Sequence, residues 1–180
     1  MKINALMIIA VVGICSCKPS PQVQPAEQPS AEMTSDGLGE LYQYYHANPT
    51  TLEEREENVL IGYLADHNYE AQRTTSGVYI VMQQEGTGEA IKWGDPIETH
   101  YKGTFLDGRQ FDSSYKRGKP LAFRVGQMIP GWNEALLTRR KGDKFLLLIP
   151  SHMGYGKRGF PGAVPPDSNL LFEIEILDGA

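Results

Sequence analysis

The chain holds only two cysteines in 180 residues, Cys15 and Cys17, and both fall in its first seventeen positions. That scarcity excludes a disulfide scaffold over the remaining residues. The histidines His46, His67, His100 and His152 are scattered without ligand spacing, so no metal site is expected. The apolar run from Ala5 to Ile14 is shorter than the ~20 residues needed to span a hydrocarbon core. Basic residues are outnumbered, with a net charge of −5 and a pI near 5.4, which argues against nucleic acid as a partner. The one basic cluster, Arg139-Arg140-Lys141, reads as a solvated helix end, where cations suit the dipole. Gly86-Thr87-Gly88 lacks the third glycine of a dinucleotide fingerprint, since Ile91 stands there. Ser113-Ser114 lies in no nucleophile elbow of the G-x-S-x-G type. These absences remove a nucleophile–base pair, a metal and a cofactor. Binding remains, or a reaction that breaks no covalent bond.

The start of the chain reads as a leader: Lys2, the apolar stretch, then a small-residue exit. That exit, Ile14-Cys15-Ser16-Cys17, resembles a bacterial lipobox. Cys17 is the expected lipid-bearing residue, because Ser16 supplies the small residue before the cut; a plain secretory signal is the alternative. Lys18, not an acidic residue, directly follows Cys17, which tilts the expected anchor towards the outer rather than the inner membrane. The next residues, with Pro19, Pro21, Pro25 and Pro29, cannot bury a core and read as a disordered tether. Stretched, some twenty residues reach on the order of 70 Å; coiled, they span about 25 Å. The expected organisation is a leader over 1–16, a tether over 17–39, a helical extension over 40–73 and a folded domain over 74–180.

Leu41 to His67 is expected to be helical. Thr51-Leu52-Glu53-Glu54 has capping-box spacing, and Glu53, Glu54, Glu56 and Glu57 crowd the first turns, where the dipole favours them. Leu52, Val59, Leu60, Tyr63 and Leu64 form an apolar stripe expected to pack on the main domain or on a second copy. After Arg73 the period shifts to two. Val78 to Val81 reads as a strand. Ile97, Thr99 and Tyr101 alternate with Glu98, His100 and Lys102. Asp107-Gly108 between Phe105 and Phe111 signals a hairpin. Leu121, Phe123 and Val125 alternate with Ala122 and Arg124, and Phe172, Ile174 and Ile176 with Glu173 and Glu175. Phe145 to Ile149 is nearly all apolar. Trp132, Ala135 and Leu136 mark one short helix stopped at Gly142. Short strands with a single helix give an α+β class, an antiparallel sheet curled over that helix, with an N-terminal helical extension.

Aromatic residues then recur beside tight-turn signals: Tyr101, Phe111-Asp112-Ser113-Ser114, Ile129-Pro130-Gly131-Trp132, Tyr155-Gly156, Phe160 to Pro166, and Phe172. Read by themselves, these rings fit a plain core as well as an apolar cup holding one carboxylate and a few hydroxyls. In order, His100-Tyr101-Lys102-Gly103, Asp107-Gly108, Phe111-Asp112-Ser113-Ser114, Gly131-Trp132, Gly154-Tyr155-Gly156, Pro165-Pro166 and Leu171-Phe172-Glu173 resemble the FKBP-type peptidyl-prolyl isomerases. The match covers about Thr75 to Leu177.

The resemblance implies the same curled sheet and a hydrophobic pocket. Its walls would be Tyr101, Phe111, Asp112, Met128, Ile129, Tyr155 and Phe172, with Trp132 as floor and Phe160 and Val164 as rim. Leu121 stands where an aromatic is frequent, Phe160 where histidine is, and Ala163 where a larger aliphatic is usual, which bears on substrate preference. Arg117 matches a position that pairs with the carboxylate corresponding to Asp112; a solvated arginine is the alternative. The implied partners are proline-containing polypeptides, and macrocyclic immunophilin inhibitors would fit the same pocket. A proline-gripping chaperone module and a structural lipoprotein are the rival classes. Relatives dimerise through long N-terminal helices; the short one here favours a monomer, lipid-anchored in the cell envelope with its head in the periplasm or at the surface.

Overall fold

The computed structural model describes residues 38–178. The expected leader, Cys17 and nearly all of the expected tether lie outside the described residues. Two helices come first, α1 (Leu38–Tyr42) and α2 (Leu52–Asp66), followed by β1 (Gln72–Arg73), β2 (Tyr79–Gln84), β3 (Pro96–Thr104), β4 (Gln110–Ser113) and β5 (Leu121–Arg124). Helix α3 (Pro130–Leu136), β6 (Lys144–Ile149), two single 3₁₀ turns (Ser151–Met153 and Gly156–Arg158) and β7 (Leu170–Ile176) complete the chain.

The seven strands form one antiparallel sheet in the order β1-β2-β6-β7-β3-β4, with β5 also on β3. Strand β3 is shared by two neighbours on one side: residues 96–99 pair with β5, and residues 102–104 with β4. Its alternation is as expected, with Ile97, Thr99, Tyr101 and Gly103 buried in turn. The hairpin to β4 turns at Asp107-Gly108, where Gly108 has φ +84°, a conformation costly for any residue with a Cβ.

Both faces of the sheet are covered, which explains the continuous apolar run of β6. Ile80, Phe145, Leu147, Ile149, Phe172, Ile174 and Ile176 pack with Trp132, Ala135 and Leu136 of α3. Tyr79, Val81, Leu146, Leu148 and Leu171 point the other way and pack with Leu41, Leu60, Ile61 and Leu64. Burying each of the three α2 side chains contributes ~1.5–3 kcal/mol before entropy is subtracted.

Helix α2 starts where its sequence says it should. Thr51 Oγ1 accepts the Glu54 N–H at 3.1 Å, and Glu54 Oε2 accepts the Thr51 N–H at 3.0 Å. The backbone N–H groups of Thr51 and Thr50 hold the Glu54 carboxyl down to about 2. The expected single helix from Leu41 to His67 is, however, two. Pro49 disfavours helix at Asn48, Thr51 is extended, and Asn58 instead holds the His46 peptide through both its N–H (2.8 Å) and its carbonyl (2.7 Å). The buried face of α2 is also rotated from the expected stripe: Glu56, Leu60, Ile61 and Leu64 are buried, while Val59 is 54% exposed. Helix α3 ends at Leu136, well before Gly142, so Arg139-Arg140-Lys141 follow the helix rather than finish it.

A polar hub fastens the extension. Glu57 Oε1 accepts from Arg73 Nε (2.6 Å) and the Tyr79 hydroxyl (2.9 Å), and its Oε2 lies 3.1 Å from His46 Nε2. Burial pushes the Glu57 carboxyl up, but the hydrogen bonds from Arg73, His46 and Tyr79 outweigh it and leave the group below its ordinary value. A carboxylate so depressed contributes stability that is present above its unfolded pKa and lost as pH falls through the folded one. In denaturant titrations the midpoint should therefore fall on acidification. Glu57→Ala should cost about 2–3 kcal/mol near neutrality and remove its share of that slope; an unchanged slope would show the hub to be inert.

Candidate active site

Four rings from four elements meet around α3. Trp132 is 0% exposed and meets Tyr101 of β3 edge-on (5.3 Å between centroids, 88°) and Phe172 of β7 likewise (5.2 Å, 88°). Phe111 of β4 meets Phe172 edge-on in turn (5.5 Å, 90°). Edge-to-face pairs of this kind are worth ~0.5–1.5 kcal/mol each beyond area burial. Gly103 makes the arrangement possible. A Cβ there would sit 2.7 Å from the Phe111 ring and 2.9 Å from Phe172, so only glycine lets both rings lie against β3.

The polar part of the site stands on Tyr101. Its hydroxyl donates to Asp112 Oδ2 and accepts from Arg117 Nη2 at 2.8 Å, while Arg117 Nη1 donates to Asp112 Oδ1. The Ser113 N–H donates to Asp112 Oδ1 at 2.7 Å. Burial raises the Asp112 carboxyl, but the bonds from Tyr101, Ser113 and Arg117 outweigh it, so the group lies below its usual range and is ionised. Tyr101 is pushed up to about 12, first by burial and then by its bond to Asp112. The Arg117–Asp112 pair is roughly 40% exposed on both sides. At that exposure it adds ~0–1 kcal/mol of stability; it orients the carboxylate.

Two donors at the site are uncommitted. Among the described residues, neither the Ile129 N–H nor the Tyr155 hydroxyl finds a protein acceptor. Burial, then the nearby Asp112 charge, raises Tyr155. Leu121, Met128, Ile129, Tyr155 and Ala163 are half-buried and pack against the same core. Phe160 meets the Tyr155 ring at 5.5 Å and is 54% exposed.

The expected rim needs correction at one residue. Phe160 and Val164 exchange backbone hydrogen bonds at 2.8 Å, and Phe160 is 54% exposed while Val164 is buried in the core. Val164 supports the rim from beneath. Trp132 is likewise closed off: its indole has no exposed surface, and its Nε1 is buried without a partner.

Three residues take structural roles here that their sequence context does not announce. Ser114 Oγ accepts the Tyr101 N–H at 2.8 Å and donates to the Tyr101 carbonyl at 3.2 Å, fixing that residue's backbone. Asn133 Oδ1 accepts from Gly126 (2.9 Å) and Met128 (3.3 Å), and its Nδ2 donates to the Met128 carbonyl (2.7 Å), shaping the turn that presents Ile129. Phe123 adds a third edge contact to Trp132 at 5.9 Å. Phe123 alternates inward on its strand and Ser114 closes the Phe111-Asp112-Ser113-Ser114 motif, but neither pattern marks the contact made here; Asn133 carries no distinguishing local pattern.

The sequence profile described as FKBP-type peptidyl-prolyl cis-trans isomerase matches residues 87–177. The FKBP-type peptidyl-prolyl cis-trans isomerase FkpA of Escherichia coli is 47% identical over 105 residues, covering 58% of this chain and 38% of that protein. The FK506-binding protein 1A of Neurospora crassa is 45% identical over 104 residues, 56% of this chain and 87% of that protein. The crystal structure of FkpA from Escherichia coli superposes with a TM-score of 0.62 at 40% identity, over 70% of this chain and 60% of that one. The chain thus spans less than two thirds of the length of the Escherichia coli relative.

If Arg117 helps hold Asp112 ionised, Arg117→Ala should move the Asp112 carboxyl titration, followed by carboxyl-carbon NMR, upward towards the usual aspartate range. A titration that does not move would leave Arg117 as a surface charge.

Proposed function

Because the chain belongs to the FKBP-type peptidyl-prolyl cis-trans isomerases, we propose that it catalyses rotation about Xaa-Pro bonds of exported polypeptides and so speeds their folding in the cell envelope. The observation that carries the proposal is the contiguity of the Tyr101–Trp132–Phe172–Phe111 rings with the Tyr101–Asp112–Arg117 cluster.

The reaction asks for little chemistry. Amide resonance opposes rotation by ~18–20 kcal/mol, and unaided prolyl isomerisation takes tens to hundreds of seconds. A catalyst need only favour the twisted amide over the planar one. An apolar cup contributes because the planar amide, the more dipolar form, loses more when water leaves. Here the proline ring would sit among Tyr101, Phe111, Ile129 and Phe172. It would touch the face of Trp132 only by displacing the side chains that cover that indole. The Ile129 N–H and the Tyr155 hydroxyl, both uncommitted, would hold substrate carbonyls. Asp112 stays ionised beside the rotating bond, and no group need gain or lose a proton.

Cys17 is the proposed lipid attachment point and the residues after it the tether, with a monomeric head in the periplasm or at the surface; Lys18 in place of an acidic residue directly after Cys17 supports the outer membrane. The pocket is also the proposed seat for macrocyclic immunophilin inhibitors, with Leu121, Phe160 and Ala163 setting its selectivity.

In a protease-coupled assay on a short Xaa-Pro peptide, Phe111→Ala should lower kcat/KM roughly tenfold or more, equivalent to ~1.4 kcal/mol or more of lost transition-state contact. Phe111 is half-buried, so the fold should survive; Trp132→Ala, at a fully buried site, would cost ~3–5 kcal/mol of stability and blur the result. Peptide binding without turnover in the unaltered protein would replace the enzyme with a proline-gripping chaperone. For the anchor, Cys17→Ser should move the protein from the membrane to the soluble fraction of lysed cells; retention in the membrane would contradict it.

A further inference from the structure

The 150–169 segment between β6 and β7 carries Tyr155, Phe160 and Val164, and both of its roots converge on one residue of α2. At the first root, the Ser151 N–H donates to Glu56 Oε2 at 3.0 Å. At the second, Asn169 Nδ2 donates to the Glu56 backbone carbonyl at 3.4 Å. Between its roots the segment is stapled to itself: Asp167 N–H donates to the Gly156 carbonyl at 3.0 Å, and Phe160 and Val164 bond reciprocally. Apolar packing holds the middle of the segment, with Val164 in the main core and Tyr155 and Ala163 against it, and Glu56 adds polar ties at its two ends.

Glu56 is 6% exposed and stands on the face of α2 that buries Leu60, Ile61 and Leu64. A carboxylate in such a place is costly unless hydrogen-bonded. Among the described residues it forms no ion pair, and its Oε1 has no partner. Its carboxylate makes one hydrogen bond, to the first root, and the second root rests on its backbone carbonyl.

We propose that Glu56 is a positioning residue. By clamping both roots, α2 sets where the Tyr155 hydroxyl stands relative to the rings of the site. The proposal rests on the isomerase reading above for what that position does, and on the geometry alone for the clamp. It gives the N-terminal extension a part in turnover although no side chain of α2 is among the site residues.

The test uses the full chain with Glu56→Ala, Glu56→Gln and Asn169→Ala, and with Glu53→Ala, exposed on the same helix, as control. On an Xaa-Pro peptide, Glu56→Ala should lower kcat about tenfold with KM changed less than about twofold, since the rings that bind proline lie outside the loop. Asn169→Ala should move kcat the same way by less. Glu56→Gln keeps an accepting oxygen for the Ser151 N–H and should restore most of the loss. Amide hydrogen exchange of residues 154–164 should quicken in Glu56→Ala while β3 and β7 keep their protection. An unchanged kcat in Glu56→Ala, a Gln variant as impaired as the Ala variant, or exchange quickened equally in the strands would each overturn the proposal. Should Glu56→Ala fail to fold, Asn169→Ala decides, and wild-type turnover with wild-type loop exchange there overturns it. Absence of turnover in the unaltered protein would instead sink the isomerase reading, and the exchange measurement would still test the clamp.

Discussion

Trp132 sits with no exposed surface between the edges of Tyr101, Phe172 and Phe123, and that contact holds α3 against the sheet. The other ring of the site follows from it. Phe172 receives Phe111 edge-on, and Gly103 leaves β3 bare enough for both to lie against it. Tyr101, held by Trp132 on its ring and by Ser114 on its backbone, carries its hydroxyl to Asp112 and Arg117. One apolar contact therefore fixes both the hydrophobic and the charged halves of the site. Large side chains with few rotatable bonds suit this role, because little entropy is lost in holding them.

The sheet is loaded from two sides, and the second load matters to function. Alternate residues of β2 and β6 serve the core under α3 and the core under α2. Helix α2 is thus part of the folded body, capped at Thr51 and tied at Glu57 to Arg73 and Tyr79. Its Glu56 touches the two ends of the loop bearing Tyr155. A distorted prolyl amide needs donors that stay in place while it turns, since reorganising them during the step would raise the barrier. A loop anchored at both roots meets that need better than one free to swing.

Much of this was legible in the sequence where period and chemistry agree. Strand β3 alternates as Ile97, Thr99 and Tyr101 demanded, Gly108 turns the hairpin, and Thr51 and Glu54 close the capping box. Legibility failed where burial and polarity part company. Glu56 and Glu57 look like two of four acids favoured by a helix dipole, and only the fold reveals both as inward, which displaces the apolar stripe and turns Val59 out. The break between α1 and α2 depends on Asn58 reaching back to His46, a contact between residues twelve apart. Of the two residues expected at the rim, Phe160 is exposed and Val164 is buried in the core, a difference that local sequence does not mark. Hydrogen bonds leave no periodic trace, so neither the Ser114 bonds to Tyr101 nor the Asn133 bonds to Gly126 and Met128 follow from the pattern.

The central claim is that a prolyl amide rotates in a site of rings and fixed dipoles with no proton transferred in the slow step. Cis–trans exchange on an Xaa-Pro peptide, followed by NMR in H₂O and in D₂O with catalytic amounts of the protein, tests it most directly. Exchange much faster than in the peptide alone, at nearly the same rate in both solvents, is the expected result. No acceleration, or a markedly slower rate in D₂O that marks a proton in flight, would contradict it.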